Sequence, residues 1–91
     1  MSNNEPPESL LEFPCDFTVK AMGLHSDDFD ALVVGIVRQH VPDLSEGAVS
    51  SRFSSGGKYL SVSVNFIAES REQMDAIYQE LSKNPRILMA L

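Results

Sequence analysis

From Tyr59 to Ala68 apolar and polar side chains alternate. Leu60, Val62, Val64, Phe66 and Ala68 hold one parity, and Ser61, Ser63 and Asn65 the other. This is the period of a β-strand, one face packed on a core and the other left for water or a partner. At about 3.3 Å per residue the stretch spans roughly 30 Å, which suits a central strand. The rest of the chain has to cover its apolar side.

Several segments offer themselves for that task. Phe17–Met22 reads as a first strand, with Phe17, Val19 and Ala21 on one face, Thr18, Lys20 and Met22 on the other, and Gly23 as its end. Ser26 is a good N-cap, and Asp27 and Asp28 would suit the first turn of a helix, where the dipole favours negative charge. Phe29, Leu32, Val33, Ile36 and Val37 then form one apolar stripe, His40 falls in the last turn, and Val41-Pro42 stops the helix. After a loop at Asp43–Gly47, a more polar strand alternates Val49, Ser51 and Phe53 with Ser50 and Arg52. Ser54–Lys58, with paired glycines, supplies a hairpin into the long strand. Ser70 and Gln73 make a capping box for a second helix with its stripe at Met74, Ile77, Tyr78 and Leu81, and Asn84-Pro85 ends it. A last strand, Arg86–Leu91, is apolar on both faces.

Strand, helix, strand, strand, helix, strand is the ferredoxin-like α+β arrangement. Right-handed crossovers put both helices on one face of an antiparallel four-stranded sheet of order 4-1-3-2. Residues 1–9 read as a disordered tail and residues 10–91 as one domain, with Leu10-Leu11-Glu12-Phe13-Pro14 pinned onto its edge. Ninety-one residues suffice for one core, burying roughly 60–65% of the unfolded surface without staples.

Bulk composition removes several function classes. The net charge is −6 and the seven Lys and Arg are scattered along the sequence, so neither nucleic acid nor an anionic membrane is an expected partner. No apolar run approaches the roughly 18 residues of a membrane span. Met1–Glu8 lacks the basic and apolar regions of a signal peptide, so a cytoplasmic address is expected. A single cysteine, Cys15, makes no internal disulfide or metal cage.

Leu10-Leu11-Glu12-Phe13-Pro14, Phe17, Lys20, Met22-Gly23, Arg38-Gln39-His40, Ser54-Ser55 with Gly57 and Tyr59, Ser61-Val62-Ser63 and Tyr78-Gln79-Glu80-Leu81 occur in an order and spacing that resembles the YbeD-like family of small bacterial cytoplasmic proteins. The resemblance covers residues 10–91. It implies a ferredoxin-like sheet similar to the ACT-type regulatory domains that bind small effectors, no established catalytic activity, and a link to lipoate metabolism in some members. The loop Asp43–Glu46 and the residues before Ser9 depart from the pattern, and nothing is carried onto them.

The residues offer little chemistry. His25 and His40 have no Ser or Cys at a useful spacing, and read as a turn residue and as a helix-end residue that compensates the dipole or ties a loop. With one cysteine they make no convergent metal set, and no cofactor is expected. Ser54–Lys58 could present backbone N–H groups to an anion, but no helix follows it as in a P-loop, and a plain hairpin is the stronger reading. Cys15 has no cationic neighbour to activate it.

Two surfaces remain. The open sheet face would carry Thr18, Lys20, Arg52, Ser61, Ser63 and Asn65 with Tyr59 at one end. It is either a solvated face or a site for a carboxylate or an acidic protein segment. Only Tyr59 could stack a base there. The apolar last strand, through Ile87, Met89 and Leu91, would either pair with a second copy of the chain or be covered by Leu10–Phe13. The expectation is a non-catalytic regulatory or adaptor protein that binds a protein partner and can form a homodimer. The alternative is an ACT-like sensor of a small anionic metabolite.

Overall fold

The alternating stretch is a strand along its whole length, and its parity is the one the sequence predicts. In a computed structural model that describes residues 11–91, Leu60, Val62, Val64, Phe66 and Ala68 are all buried. The order of elements is β1 (Cys15–Leu24), α1 (Phe29–Arg38), β2 (Val49–Phe53), β3 (Tyr59–Ala68), α2 (Arg71–Lys83) and β4 (Met89–Ala90), with a 3₁₀ turn at Glu46–Ala48 before β2. The strands form one antiparallel sheet in the order β2-β3-β1-β4, which is 4-1-3-2 read from the other edge. The fold is the ferredoxin-like α+β sandwich. The expected tail, residues 1–9, and Leu10 lie outside the described residues.

One core joins the two layers. Phe29, Val33 and Val37 of α1 and Ile77 and Leu81 of α2 are packed on Val19 and Ala21 of β1 and on the buried row of β3, all essentially without exposure. Each large aliphatic or aromatic side chain so buried stabilises the fold by about 1.5–3 kcal/mol. Leu11 and Phe13 lie against this core, so this part of the expected edge segment does pack on the domain.

Several boundaries differ from those read in the sequence. β1 runs from Cys15 to Leu24 instead of Phe17 to Met22, and Gly23 pairs with Leu60 inside the ladder. Glycine is needed there for proximity, since a Cβ on Gly23 would sit 2.3 Å from the Arg86 carbonyl oxygen and 2.5 Å from the Phe29 ring. Ser26 does not cap α1. The cap position is Asp28, without a side-chain hydrogen bond to the backbone, and Asp30 is the acidic residue of the first turn. Ser26 instead donates its hydroxyl hydrogen to Asp28 and accepts from Arg86 Nη2 at 2.6 Å.

The second cap is as expected at its main contact. Ser70 Oγ accepts from the Gln73 N–H at 3.1 Å. The Gln73 side chain accepts from the Glu69 N–H at 2.7 Å and donates to the His40 carbonyl at 2.9 Å, so it ties the start of α2 to the end of α1. The hairpin at Ser54–Lys58 places Gly56 and Gly57 at φ +87° and +76°, the left-handed region that other residues avoid.

The last strand is shorter than Arg86–Leu91. Only Met89–Ala90 is regular, although the Leu88 N–H bonds to Met22 and Leu91 exchanges both backbone bonds with Lys20. Ile87 is no part of an exposed apolar edge: it is 8% exposed and belongs to the core, because the turn after α2 drives it under the sheet before the chain joins β1. Met89 and Leu91 are exposed.

Candidate functional site

The face turned away from the helices is set by the strand registers. Arg52 stands opposite Ser61, Ser61 opposite Met22, and Met22 opposite Met89. One row on, Ser50 faces Ser63 and Ser63 faces Lys20, whose other neighbour is Leu91. Asn65 pairs with Thr18, and Tyr59 pairs with Leu24 at the hairpin end. Strand alternation therefore brings together Lys20, Arg52, Ser61 and Ser63, which come from three strands, with Tyr59 close by. They surround a shallow depression of about 330 Å³ lined by Lys20, Ser50, Ser51, Arg52, Ser61 and Ser63. A second hollow of about 180 Å³, reaching Met22, Phe53 and Tyr59, continues it.

The cations of this face are uncommitted. Among the described residues the ion pairs are His40–Glu80 and Arg86–Asp28, and neither involves Lys20 or Arg52. Lys58 lies beside the same corner, its Nζ 5.5 Å from the centre of the Tyr59 ring. Among the described residues Asp16 is the side-chain carboxylate on this face; it lies at the far end and accepts from Asn65 Nδ2 at 2.9 Å. The same amide nitrogen reaches the Phe17 carbonyl and the Thr18 hydroxyl. Asn65 thus holds β1 to β3, and it and Thr18 are engaged with each other.

The sequence reading missed how apolar half of this face is. Leu24, Met89 and Leu91 are each at least half exposed and Met22 partly so. The signal was present in Met22, which shares the parity of Lys20. The rest depended on β1 running on to Leu24 and on β4 lying beside it.

Other candidates resolve into structural roles. His40 Nε2 meets Glu80 Oε1 at 2.5 Å, and its carbonyl accepts from Gln73, so it ties the α1 end to α2. The His25 ring packs edge-on against Phe53 at 4.9 Å, and the His25 backbone N–H donates to the Lys58 carbonyl. Cys15 is half-buried and free. The described residues contain no group of three or more His, Cys, Asp or Glu placed to hold a metal ion. A clamp the sequence did not announce joins Arg86 to Asp28 at 2.7 Å and to Ser26. It holds the Asp28 carboxyl down at about 2, chiefly through the Arg86 hydrogen bond. A groove of about 350 Å³ lies between Phe13, Phe17, Met74 and Tyr78.

Residues 8–91 match the family described as "Protein of unknown function (DUF493)". The chain belongs to this family. Similar DUF493 relatives include a UPF0250 protein of Janthinobacterium sp. (strain Marseille), 44% identical over the full length of both chains. UPF0250 protein RSc0326 of Ralstonia nicotianae is 44% identical over 94% of this chain and 89% of its own. The YbeD-like resemblance seen in the residue pattern and the DUF493 match point to the same group of small bacterial proteins. Among solved structures, protein HP0495 of H. pylori superposes with a TM-score of 0.71 at 14% identity, covering 99% of this chain and 98% of that one. At that identity the likeness shows a shared fold alone. No helix among the described residues is long and apolar enough to cross a membrane.

Proposed function

We propose that this DUF493 protein is a non-catalytic regulatory or adaptor protein of the cytoplasm that binds an acidic segment of a protein partner on its open sheet face. One observation carries the reading: Lys20 and Arg52, without an ion pair among the described residues, stand on either side of the Ser61 and Ser63 hydroxyls, next to partly exposed Met22 and exposed Met89, on a chain of net charge −6. Cations left without partners on an acidic protein favour a ligand of opposite sign and steer its approach. Exposed methionines supply an adaptable apolar contact beside them. Carboxylates of the partner would meet Lys20 and Arg52, the hydroxyls and Tyr59 would accept or donate around them, and an apolar side chain would cover Met22.

The test is capture of partners by the wild type and by Lys20→Glu/Arg52→Glu, read by quantitative mass spectrometry at two salt concentrations. Partners of this face are enriched on the wild type, reduced about tenfold or more on the variant, and released by added salt. If the doubly reversed protein is folded and keeps every partner, the open face is not the binding surface.

A second reading, a sensor for a small anionic metabolite, is favoured by the same depression, whose two cations and hydroxyls suit one carboxylate or phosphate. It predicts a rise in melting temperature with the right anion, since a ligand that binds only the folded state stabilises it. A protein-binding face alone gives no such rise.

A further inference from the structure

The hydrogen-bond phase of the sheet dictates which backbone groups of its outer strand β2 are turned outward. Lys20 exchanges both backbone bonds with Leu91, at 2.9 and 2.8 Å. By the alternation of antiparallel ladders, its opposite neighbour Ser63 must turn its N–H and C=O toward β2, where it meets Ser50. The hairpin end gives the same phase: the Ser54 N–H donates to the Tyr59 carbonyl at 2.9 Å, so Ser54, Arg52 and Ser50 face inward. The backbone groups of Val49, Ser51 and Phe53 are therefore directed away from the sheet.

Little protects this edge. Its register is continuous without a bulge, it contains no proline, and Ser50 to Phe53 are exposed. We propose that β2 pairs with β2 of a second copy of the chain, antiparallel about a twofold axis at Ser51, making one eight-stranded sheet.

Three features fit a second copy in this register. The axis sets Ser51 opposite Ser51 and Val49 opposite Phe53, so every outward group finds an outward group, giving about six backbone hydrogen bonds. An axis at Ser50 or Arg52 would also set outward groups opposite outward groups, but only two of the three outward residues of β2 would pair, giving about four hydrogen bonds, and an axis at Arg52 would set two arginines side by side. On the helix side, Phe53, 56% exposed, comes to lie beside the half-buried Val49 of the other copy. On the open side, Arg52 faces Ser50 and not a second arginine. The charges agree as well: the turn that carries Asp43 and Glu46 into β2 is brought toward the other copy's hairpin, which carries Lys58. At the opposite edge, β4 offers a shorter outward row, because Leu91 is spent on Lys20 and Ile87 is in the core.

Five residues a side make a small interface, so association is weak and concentration-dependent. Sedimentation of the full chain from micromolar to millimolar concentration is expected to show a monomer passing to a dimer. Ser51→Pro removes an N–H that the single chain does not use, so it is expected to keep the circular dichroism of the fold and stay monomeric. In a Cys15→Ser background, Ser51→Cys places two thiols across the axis at a Cα separation of about 5.5 Å, within the range a disulfide bridges. Mild oxidation is expected to give a covalent dimer from Ser51→Cys and much less from Ser50→Cys. A wild type that stays monomeric to millimolar concentration, a folded Ser51→Pro protein that associates like the wild type, or a Ser51→Cys protein that fails to cross-link each overturns the proposal. Should the proline variant not fold, the cross-linking pair decides. The open face adjoins this edge at Ser50 and Arg52, but the pairing uses the outward backbone of Val49, Ser51 and Phe53 and the proposed partner site uses side chains, so failure of either reading leaves the other standing.

Discussion

Gly23 carries a constraint out of proportion to its size, because the Phe29 ring and the Arg86 carbonyl both close on the place where a Cβ would be. Gly23→Ala has to move backbone, so it is expected to destabilise by about 1–3 kcal/mol or more, as overpacking does, with the loss read from urea unfolding. Asp28 acts through charge. Its carboxyl is held at about 2 against an ordinary 3.8, first by the Arg86 hydrogen bond and then by Ser26. A carboxyl depressed by folding contributes stability above its ordinary value, and that contribution is lost as pH falls from about 4 to about 2. Arg86→Ala is therefore expected to lower the melting temperature at pH 7, and the gap to the wild type is expected to close as acid is added through that window. Both partners are well exposed to solvent, so added salt narrows the gap too.

At the scale of elements, local signals were dependable where a side chain serves its own helix or strand. The β3 alternation, the Ser70 cap and the paired glycines of the hairpin are all as the sequence reads them. They fail where a residue serves a neighbour. Ser26 looks like a cap but is drawn to Arg86, sixty residues on, and Gly23 looks like a strand end but is a close-packing site. Gln73 shows both behaviours, since its N–H completes the cap while its side chain reaches the end of α1. Gln73→Ala is expected to cost about 1–2 kcal/mol by losing two side-chain hydrogen bonds. Ser70→Ala is expected to cost about 1 kcal/mol as a lost cap. Because Gln73, unlike Ser70, links α2 to the end of α1, faster hydrogen exchange in the last turn of α1 should mark its variant and spare the other.

For the molecule as a whole, charge is divided between the layers. The carboxylates of the described chain lie on the helices, the loops and the edge segment, apart from Asp16, while Lys20 and Arg52 project from the open face. The sequence shows seven scattered cations, and scattered they are in order. Two of them, thirty-two residues apart, become neighbours because β3 lies between β1 and β2. Lys20→Glu/Arg52→Glu makes this face acidic without touching the core, so it is expected to leave the melting temperature nearly unchanged while reducing capture of acidic partners about tenfold or more.

Periodicity, caps and turn residues are short-range properties, and from them the sequence by itself determined the order of elements, the sheet order and the buried parity of β3. The neighbours of Lys20 and Arg52, the apolar half of the open face, the burial of Ile87 and the outward phase of β2 were decided by tertiary structure. Each depends on register between strands distant in the chain, and register follows from how the whole sheet and its helices pack together.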